Sequence, residues 1–291
     1  MEKKECWFLR KRKWSGMGLT IGPMFAWTFL FFVFPLIYVI SLSFCTRDAY
    51  GGIVYEFTLK NYKTLMKPVY LHVIWKTMKM SFVVTVLVTL FAYPYAYIAS
   101  RAEKKVQNLL VAGIMIPFWT NALLRVYAIM NIASANGLVN TALLSMGIIK
   151  EPLQILYTDF AVMAGMVYTM VPLMVMPLYA NLQKIDGSVL EAGRDLGASS
   201  WQLFQKVIFP ISLPGIMSGI ILVYVPSMFS FYIADALGGG KSIIIGNVIS
   251  NQFSSSKNWP FGAALAVFVM TLSTLMIAVK NQLTKKMEYG T

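Results

Sequence analysis

Apolar positions along this chain do not alternate with polar ones at the spacing of a half-buried strand or helix. They run together in six blocks, at 19–44, 80–99, 109–133, 160–182, 211–235 and 261–279. Each block is about 20 residues long, the length of helix that crosses a ~30 Å hydrocarbon layer. Charges, amides and glycines stand between the blocks and punctuate the helices. The pattern predicts an all-α integral membrane protein with six transmembrane helices: a basic segment at 1–18, then a single membrane domain at 19–291.

Composition agrees, since 57% of the residues are apolar and 13% are charged, against roughly a quarter charged in soluble domains. The opening MEKKECWFLRKRKW precedes an apolar stretch, as the start of a secretory signal does. That stretch is too long for a signal core and no small-residue cleavage motif follows, so an uncleaved first span is expected.

A net charge of +13 raises the question of nucleic acid. The basic residues sort instead by side of the membrane. With the N-terminus in the cytoplasm, 15 Lys and Arg fall inside, nine outside, and Arg125 within a span. The positive-inside rule therefore predicts that both termini are cytoplasmic, and no nucleic-acid partner is expected. Cys6 and Cys45 then lie on opposite faces, so no disulfide is expected. His72 has no ligand cluster around it, and no metal site is expected.

The string LGGGKSI at 237–243 looks like a phosphate-cradling loop. A P-loop needs a glycine five residues before its Gly-Lys-Ser, and that position here is Asp235. The string is read as the outer end of the fifth span, leading into a loop at 243–259 that dips toward a pore or meets a partner. Outer loops are expected at 45–79, 134–159 and 236–259. In the first, Tyr55, Phe57, Tyr62, Lys63, Tyr70 and Trp75 suit an interfacial helix.

One inner loop, 183–210, carries helix signals of its own. Ser188 with Glu191, and Ser199 with Gln202, are spaced as capping boxes. Gly197 suits the left-handed residue that ends a helix, and Pro210 is read as the stop of a second helix. On that helix Trp201, Phe204 and Ile208 form an apolar stripe. It is covered either by the chain's own helix ends or by a partner protein; both remain open.

The residues Glu191-Ala192-Gly193, then Gly197, then Val207 and Phe209-Pro210 resemble the EAA loop of ATP-binding-cassette (ABC) importer permeases. That pattern reads Glu-Ala-Ala, three residues, Gly, nine residues, Ile, one residue, Leu-Pro. Gly193 departs from it by a change that lowers helix propensity by about 1 kcal/mol, while Val207 and Phe209 keep apolar character. The stretches at 117–128, 171–186, 231–249 and 258–264 further resemble the permeases of spermidine/putrescine importers.

The resemblance implies a type I ABC importer permease, a transport subunit without enzymatic activity, in the bacterial cytoplasmic membrane. It implies half of a heterodimeric pore, paired with a second permease, two cytoplasmic ATPase subunits that bind ATP and Mg, and an external polyamine-binding protein. No cofactor is expected on this chain. Glu191, Ala192, Gly193, Gly197, Trp201, Phe204, Val207, Phe209 and Pro210 would transmit the ATPase motion.

A polyamine needs carboxylates, carbonyls or aromatic faces along its path. Tyr224, Ser227, Phe231 and Asp235 recur at i, i+3, i+7 and i+11, one face of a continuous helix. That face either lines the path or packs on neighbouring helices. Trp119 and Tyr168 are further path candidates. Arg125, about 6 to 8 Å beyond the middle of its span, either snorkels or forms a structural or gating ion pair with a carboxylate of its own chain or of the partner, and Asn121 suits a hydrogen bond across helices. Pro172, Pro177 and Pro226, with Gly165, Gly215, Ser218 and Gly219, are compatible with helices that hinge and approach closely.

Other classes fit less well. An ABC permease for another small cationic or organic solute keeps the same loop. A self-sufficient carrier or channel would need coupling-ion sites near the bilayer middle, where acidic residues are almost absent, and would leave the EAA pattern unexplained. For an intramembrane enzyme, Glu191 and Asp195 at i, i+4 have no nucleophile or metal ligand beside them.

Overall fold

A computed structural model describes residues 21–48 and 50–289; the basic segment at 1–18 and Cys6 lie outside the described residues. Helices dominate: α1 (Ile21–Ser43), α2 (Lys60–Leu65), α3 (Pro68–Arg101), α4 (Lys104–Trp119), α5 (Ala122–Ala133), α6 (Leu138–Ser145), α7 (Asp159–Leu182), α8 (Gly187–Asp195), α9 (Ser200–Phe229), α10 (Phe231–Gly238), α11 (Ile245–Ser254) and α12 (Trp259–Tyr289). Among the described residues, six helical segments are long and apolar enough to cross a membrane: α1, α3, Ala122–Ser145, α7, α9 and Trp259–Gln282.

The chain divides into two compact units, one of Met1–Leu65 with Gln252–Val269 and the other of Met66–Asn251 with Met270–Thr291. In the first, the described part of the N-terminal stretch is α1, a short antiparallel pair of β1 (Thr46–Arg47) and β2 (Ile53–Val54), and α2. Asn61 ties these together by donating from Nδ2 to the carbonyls of Ser43 and Cys45 at 3.0 and 2.9 Å. The turn between the strands is built on Asp48, whose Oδ1 accepts from the backbone of Tyr50 and Gly52.

The second unit holds a core of α3, α7 and α9. Val84, Val88, Ala92 and Ala96 recur every four residues on α3, and Val162, Met166, Met170, Met174, Leu178 and Leu182 do so on α7, all buried. Rows of that spacing form ridges that pack into grooves. Gly219 of α9 lies directly on Met174, and Gly215 on the carbonyl of Pro177 and the side chain of Asn181, so a methyl group at either would collide. Small residues let membrane helices approach this closely.

Four expectations about the elements are corrected. The second span is not confined to 80–99: α3 starts at Pro68 and runs 34 residues, about 51 Å at 1.5 Å per residue and longer than the ~30 Å layer. Its polar first turns, with His72, Lys76 and Lys79, fall where the apolar pattern has not yet begun, and Tyr70 and Trp75 stand on this helix rather than in a loop. The third block at 109–133 is two helices, broken at Thr120–Asn121 just after Pro117.

The stretch 243–259 is mostly helical, as α11, rather than a loop. Finally, Pro210 does not stop a helix. Phe204–Ile208 form a π-helical turn in which the N–H of Phe209 reaches the carbonyl of Phe204, and the helix runs on to Phe229. A proline inside an α-helix collides with the carbonyl four residues back, and the wider turn relieves that collision. The same device precedes Pro35 in α1, at Phe29–Val33.

Candidate functional site

The EAA-like residues lie on helices α8 and α9, with Gly197 in the short turn between them. Asp186, not Ser188, caps α8: its side chain accepts from the N–H of Ser188 at 3.2 Å, because the helix already begins at Gly187. Ser199 and Gln202 form the expected reciprocal capping box on α9. Gly197 adopts φ +79° between the two helices, the left-handed conformation that glycine takes without a Cβ clash. The N–H of Ala198 then closes on the carbonyl of Gly193 at 3.1 Å.

Gly193 has a packing reason. A Cβ there would stand 2.5 Å from Cδ2 of Leu203, which is itself buried. The loop is anchored from below by Ile185 and Leu190, both in the core, and by Arg101 at the end of α3, whose Nη1 donates to the carbonyl of Ile185 at 2.9 Å. The apolar stripe divides along its length. Ile208 is buried in the core, and Phe204 packs edge-on against Tyr93 of α3 with centroids 5.8 Å apart. Trp201 stacks on Phe204 yet stays 64% exposed, and Leu196 is 88% exposed. Glu191, Ala192, Phe209 and Pro210 are also exposed, while Val207 is partly covered.

The face expected from Tyr224 to Asp235 is not continuous. The helix breaks at Ser230, whose ψ is 53°. Its N–H bonds to the carbonyl of Ser227, and its hydroxyl donates to the carbonyl of Pro226. Tyr224 and Ser227, upstream of the break, are buried: the Tyr224 hydroxyl reaches the carbonyl of Met78 on α3 at 3.4 Å, and Ser227 Oγ donates back to the carbonyl of Tyr224.

Phe231 and Asp235 stand apart from them on α10. Together with Tyr127, Tyr232, Leu123 and Val126 they line a cavity of about 350 Å³. One carboxylate facing aromatic rings is chemistry that suits an ammonium group. Asn247 of α11 donates to Oδ1 of Asp235 and to the carbonyl of Phe231, leaving the second carboxylate oxygen without a bond among the described residues. Tyr127, Tyr232 and Asn247 are not among the candidates read from the sequence, although all three fall within the stretches 117–128 and 231–249 that carry the family resemblance.

Trp119 is exposed at the end of α4 and belongs to neither cavity. Tyr168 lines a second cavity, of about 200 Å³, with Arg125, Phe118, Pro117 and Pro172. Asn121 does not bond across helices. It caps α5, accepting from the N–H of Leu123 at 2.8 Å, because the break after Trp119 makes it the first residue of a new helix.

The glycine string is a corner of the same unit. Gly239, at φ +53°, lies against the ring of Tyr157, and the Tyr157 N–H donates to the carbonyl of Leu237 at 2.8 Å. Ser242 donates to Asp159 Oδ1, the carboxylate that also pairs with Lys76 at 2.8 Å. The hydroxyl of the apparent Lys-Ser motif thus fastens this corner to the start of α7.

The model of the binding-protein-dependent transport system inner membrane component family matches residues 92–289. The chain is 40% identical to the spermidine/putrescine transport system permease protein PotB of Haemophilus influenzae over 267 residues, covering 92% of this chain and 93% of that protein. It is equally similar to PotB of Escherichia coli K12, over 272 residues covering 92% and 99%.

Among solved structures, it resembles a chain of the bacterial alginate ABC transporter in complex with alginate pentasaccharide-bound periplasmic protein, with a TM-score of 0.80 at 14% identity and coverage of 97% and 98%. It also resembles a chain of the inward-facing MetNI methionine ABC transporter, with a TM-score of 0.57 at 16% identity and coverage of 75% and 95%. These likenesses carry the fold, and the sequence matches carry the family. The chain belongs to the inner-membrane components of binding-protein-dependent transport systems, as a multi-pass membrane protein with the type I ABC importer permease fold.

Proposed function

We propose that this chain forms one half of a pore that imports polyamines of the spermidine/putrescine class, driven by ATP hydrolysis on separate subunits. The observation that carries the substrate class is identity of about two residues in five, sustained over nearly the whole chain, with permeases named for spermidine and putrescine transport. The cavity around Asp235 supports it, since it sets a carboxylate among Tyr127, Phe231 and Tyr232.

In this reading both termini face the cytoplasm, Glu191–Pro210 meets an ATPase subunit that holds ATP and Mg, and the corner at Gly238–Ser242 faces the outside. A second permease completes the pore, and an external polyamine-binding protein delivers the substrate. The exposed side chains of Trp201 and Leu196 give the ATPase an apolar contact at the loop. Ser200–Phe229 is one helix from that contact to the core, so a push on the loop moves the fifth span as a lever.

Reconstitution tests the reading. Proteoliposomes holding this chain with its neighbouring permease, ATPases and binding protein are expected to take up labelled spermidine or putrescine only when ATP is supplied. Uptake by this chain without the ATPase, or an assembled complex that moves another solute and no polyamine, would overturn it.

A further inference from the structure

Arg125 lies on α5 in the cavity shared with Tyr168 and Pro172 of α7 and with Gly113 and Pro117 of α4. Its Nε is buried and makes no hydrogen bond. The guanidinium sits 5.5 Å from the ring centroid of Phe118, and among the described residues no carboxylate pairs with it. Tyr232 lies within range of its field but makes no hydrogen bond to it.

The depth of this cavity follows from α7. Tyr168 and Pro172 fall about 14 and 20 Å along a helix of about 35 Å, mid-span of α7, and Arg125 shares their cavity although it is the fourth residue of Ala122–Ser145, because that segment starts at the break within the third apolar block. Pro172 has no N–H for the carbonyl of Tyr168, and Pro117 has none for that of Gly113. The cavity therefore offers neutral acceptors and one full positive charge. Neutral dipoles do not balance a cation at that depth, where ionised side chains are found paired.

Four sources of counter-charge can be compared. A polyamine is itself cationic and is repelled. Lipid phosphates lie about 15 Å away, beyond the half-thickness of the hydrocarbon layer. Among the described residues no aspartate or glutamate lies in the interior of a candidate span: Asp159 is the first residue of α7, and Asp235, on α10 beyond the end of α9, bonds to Asn247 and forms no ion pair with Arg125. A second copy of the chain is thereby excluded as well.

We infer that Arg125 pairs with an aspartate or glutamate carried at mid-membrane depth by a different chain, the second permease of the pore. The inference rests on the two-permease reading above and adds its charge chemistry: this chain needs an unlike partner, because two copies would bring two mid-membrane cations and no mid-membrane acid.

The test is recovery of the second permease with this chain from detergent-solubilised membranes expressing all four components. Arg125→Met is expected to lower co-recovery roughly tenfold or more, because it leaves the partner's carboxylate buried and unpaired, while Arg125→Lys retains most of it. In the Arg125→Met background, each intramembrane Asp or Glu of the second permease is changed to Asn or Gln. One such change is expected to restore co-recovery, since a neutral pair leaves no buried charge, and a chain that had merely misfolded would gain nothing from a change in another subunit. Parent-level recovery of Arg125→Met overturns the inference, as does the absence of any restoring carboxylate. Polyamine uptake by the unaltered complex is measured alongside, so a parent complex that assembles through Arg125 yet moves no polyamine counts against the proposed substrate only.

Discussion

Arg101, the last residue of α3, donates from Nη1 to the carbonyl of Ile185 at 2.9 Å. The bond joins the end of the second span to the root of the exposed loop, across 84 residues of sequence. Ile185 is buried, so its carbonyl has no water to turn to if the donor goes, and an orphaned buried acceptor costs about 1–3 kcal/mol. Arg101→Ala is expected to lower ATP-driven uptake several-fold at an unchanged half-saturating polyamine concentration, with ATP hydrolysis persisting. The ratio of ATP hydrolysed to polyamine moved measures this, and an unchanged ratio would show that the bond plays no part in coupling.

Gly193 and Leu203 meet across the loop, with the missing Cβ only 2.5 Å from a Leu203 methyl. Gly193→Ala gains up to about 1 kcal/mol of helix propensity but pushes on that methyl. Leu203→Ala should therefore be less destabilising in the Gly193→Ala background than in the parent, with a coupling of roughly 0.5–1 kcal/mol. Thermal unfolding of the four proteins in detergent decides this, and additive effects would remove the contact from the account.

Two adjacent glycines separate backbone strain from collision. Gly239 and Gly240 both have positive φ, +53° and +78°, but only Gly239 has a ring against it, that of Tyr157. Gly240→Ala should cost about 1–2 kcal/mol, the penalty for an L-residue in the left-handed region. Gly239→Ala should cost more, and its melting temperature should be the lower of the two. Lys241→Ala is expected to leave ATP-driven uptake at the parent level, because the glycine string has Asp235 where a phosphate-cradling loop needs its first glycine.

Asp235→Asn keeps an amide oxygen that can accept from Asn247 while removing the charge that faces Tyr127 and Tyr232. A loss of about 1–2 kcal/mol in attraction for an ammonium group corresponds to a roughly tenfold rise in the half-saturating polyamine concentration. Concentration-dependent uptake is the measurement. Kinetics unchanged from the parent would place the cavity off the substrate path.

Local signals read along the sequence were correct where the deciding atoms lie within a few residues of one another. Six apolar blocks set the number of membrane-spanning segments, Ser199 with Gln202 closed as a capping box, and Gly197 took its positive φ. Capping of α8 fell to Asp186 rather than Ser188, because two capping residues two positions apart compete and the sequence does not rank them. Pro210 resembles a stop because proline forbids one hydrogen-bond register; a π-turn, which shifts the register by one residue, leaves no mark in the local pattern.

Six spans, and a capped helix with a glycine turn between the fourth and fifth of them, were legible along the chain, because hydropathy and capping act over the length of a helix or less. Only the tertiary structure decided which polar groups meet. It buried Tyr224 against α3, set Asp235 beside Asn247, brought Arg101 under the loop and left Arg125 without an ion pair among the described residues. Those outcomes depend on backbone breaks at Ser230 and Asn121 and on contacts between residues far apart in the chain, where one residue of rotation turns a side chain by about 100° and so decides whether it faces a neighbour or a cavity.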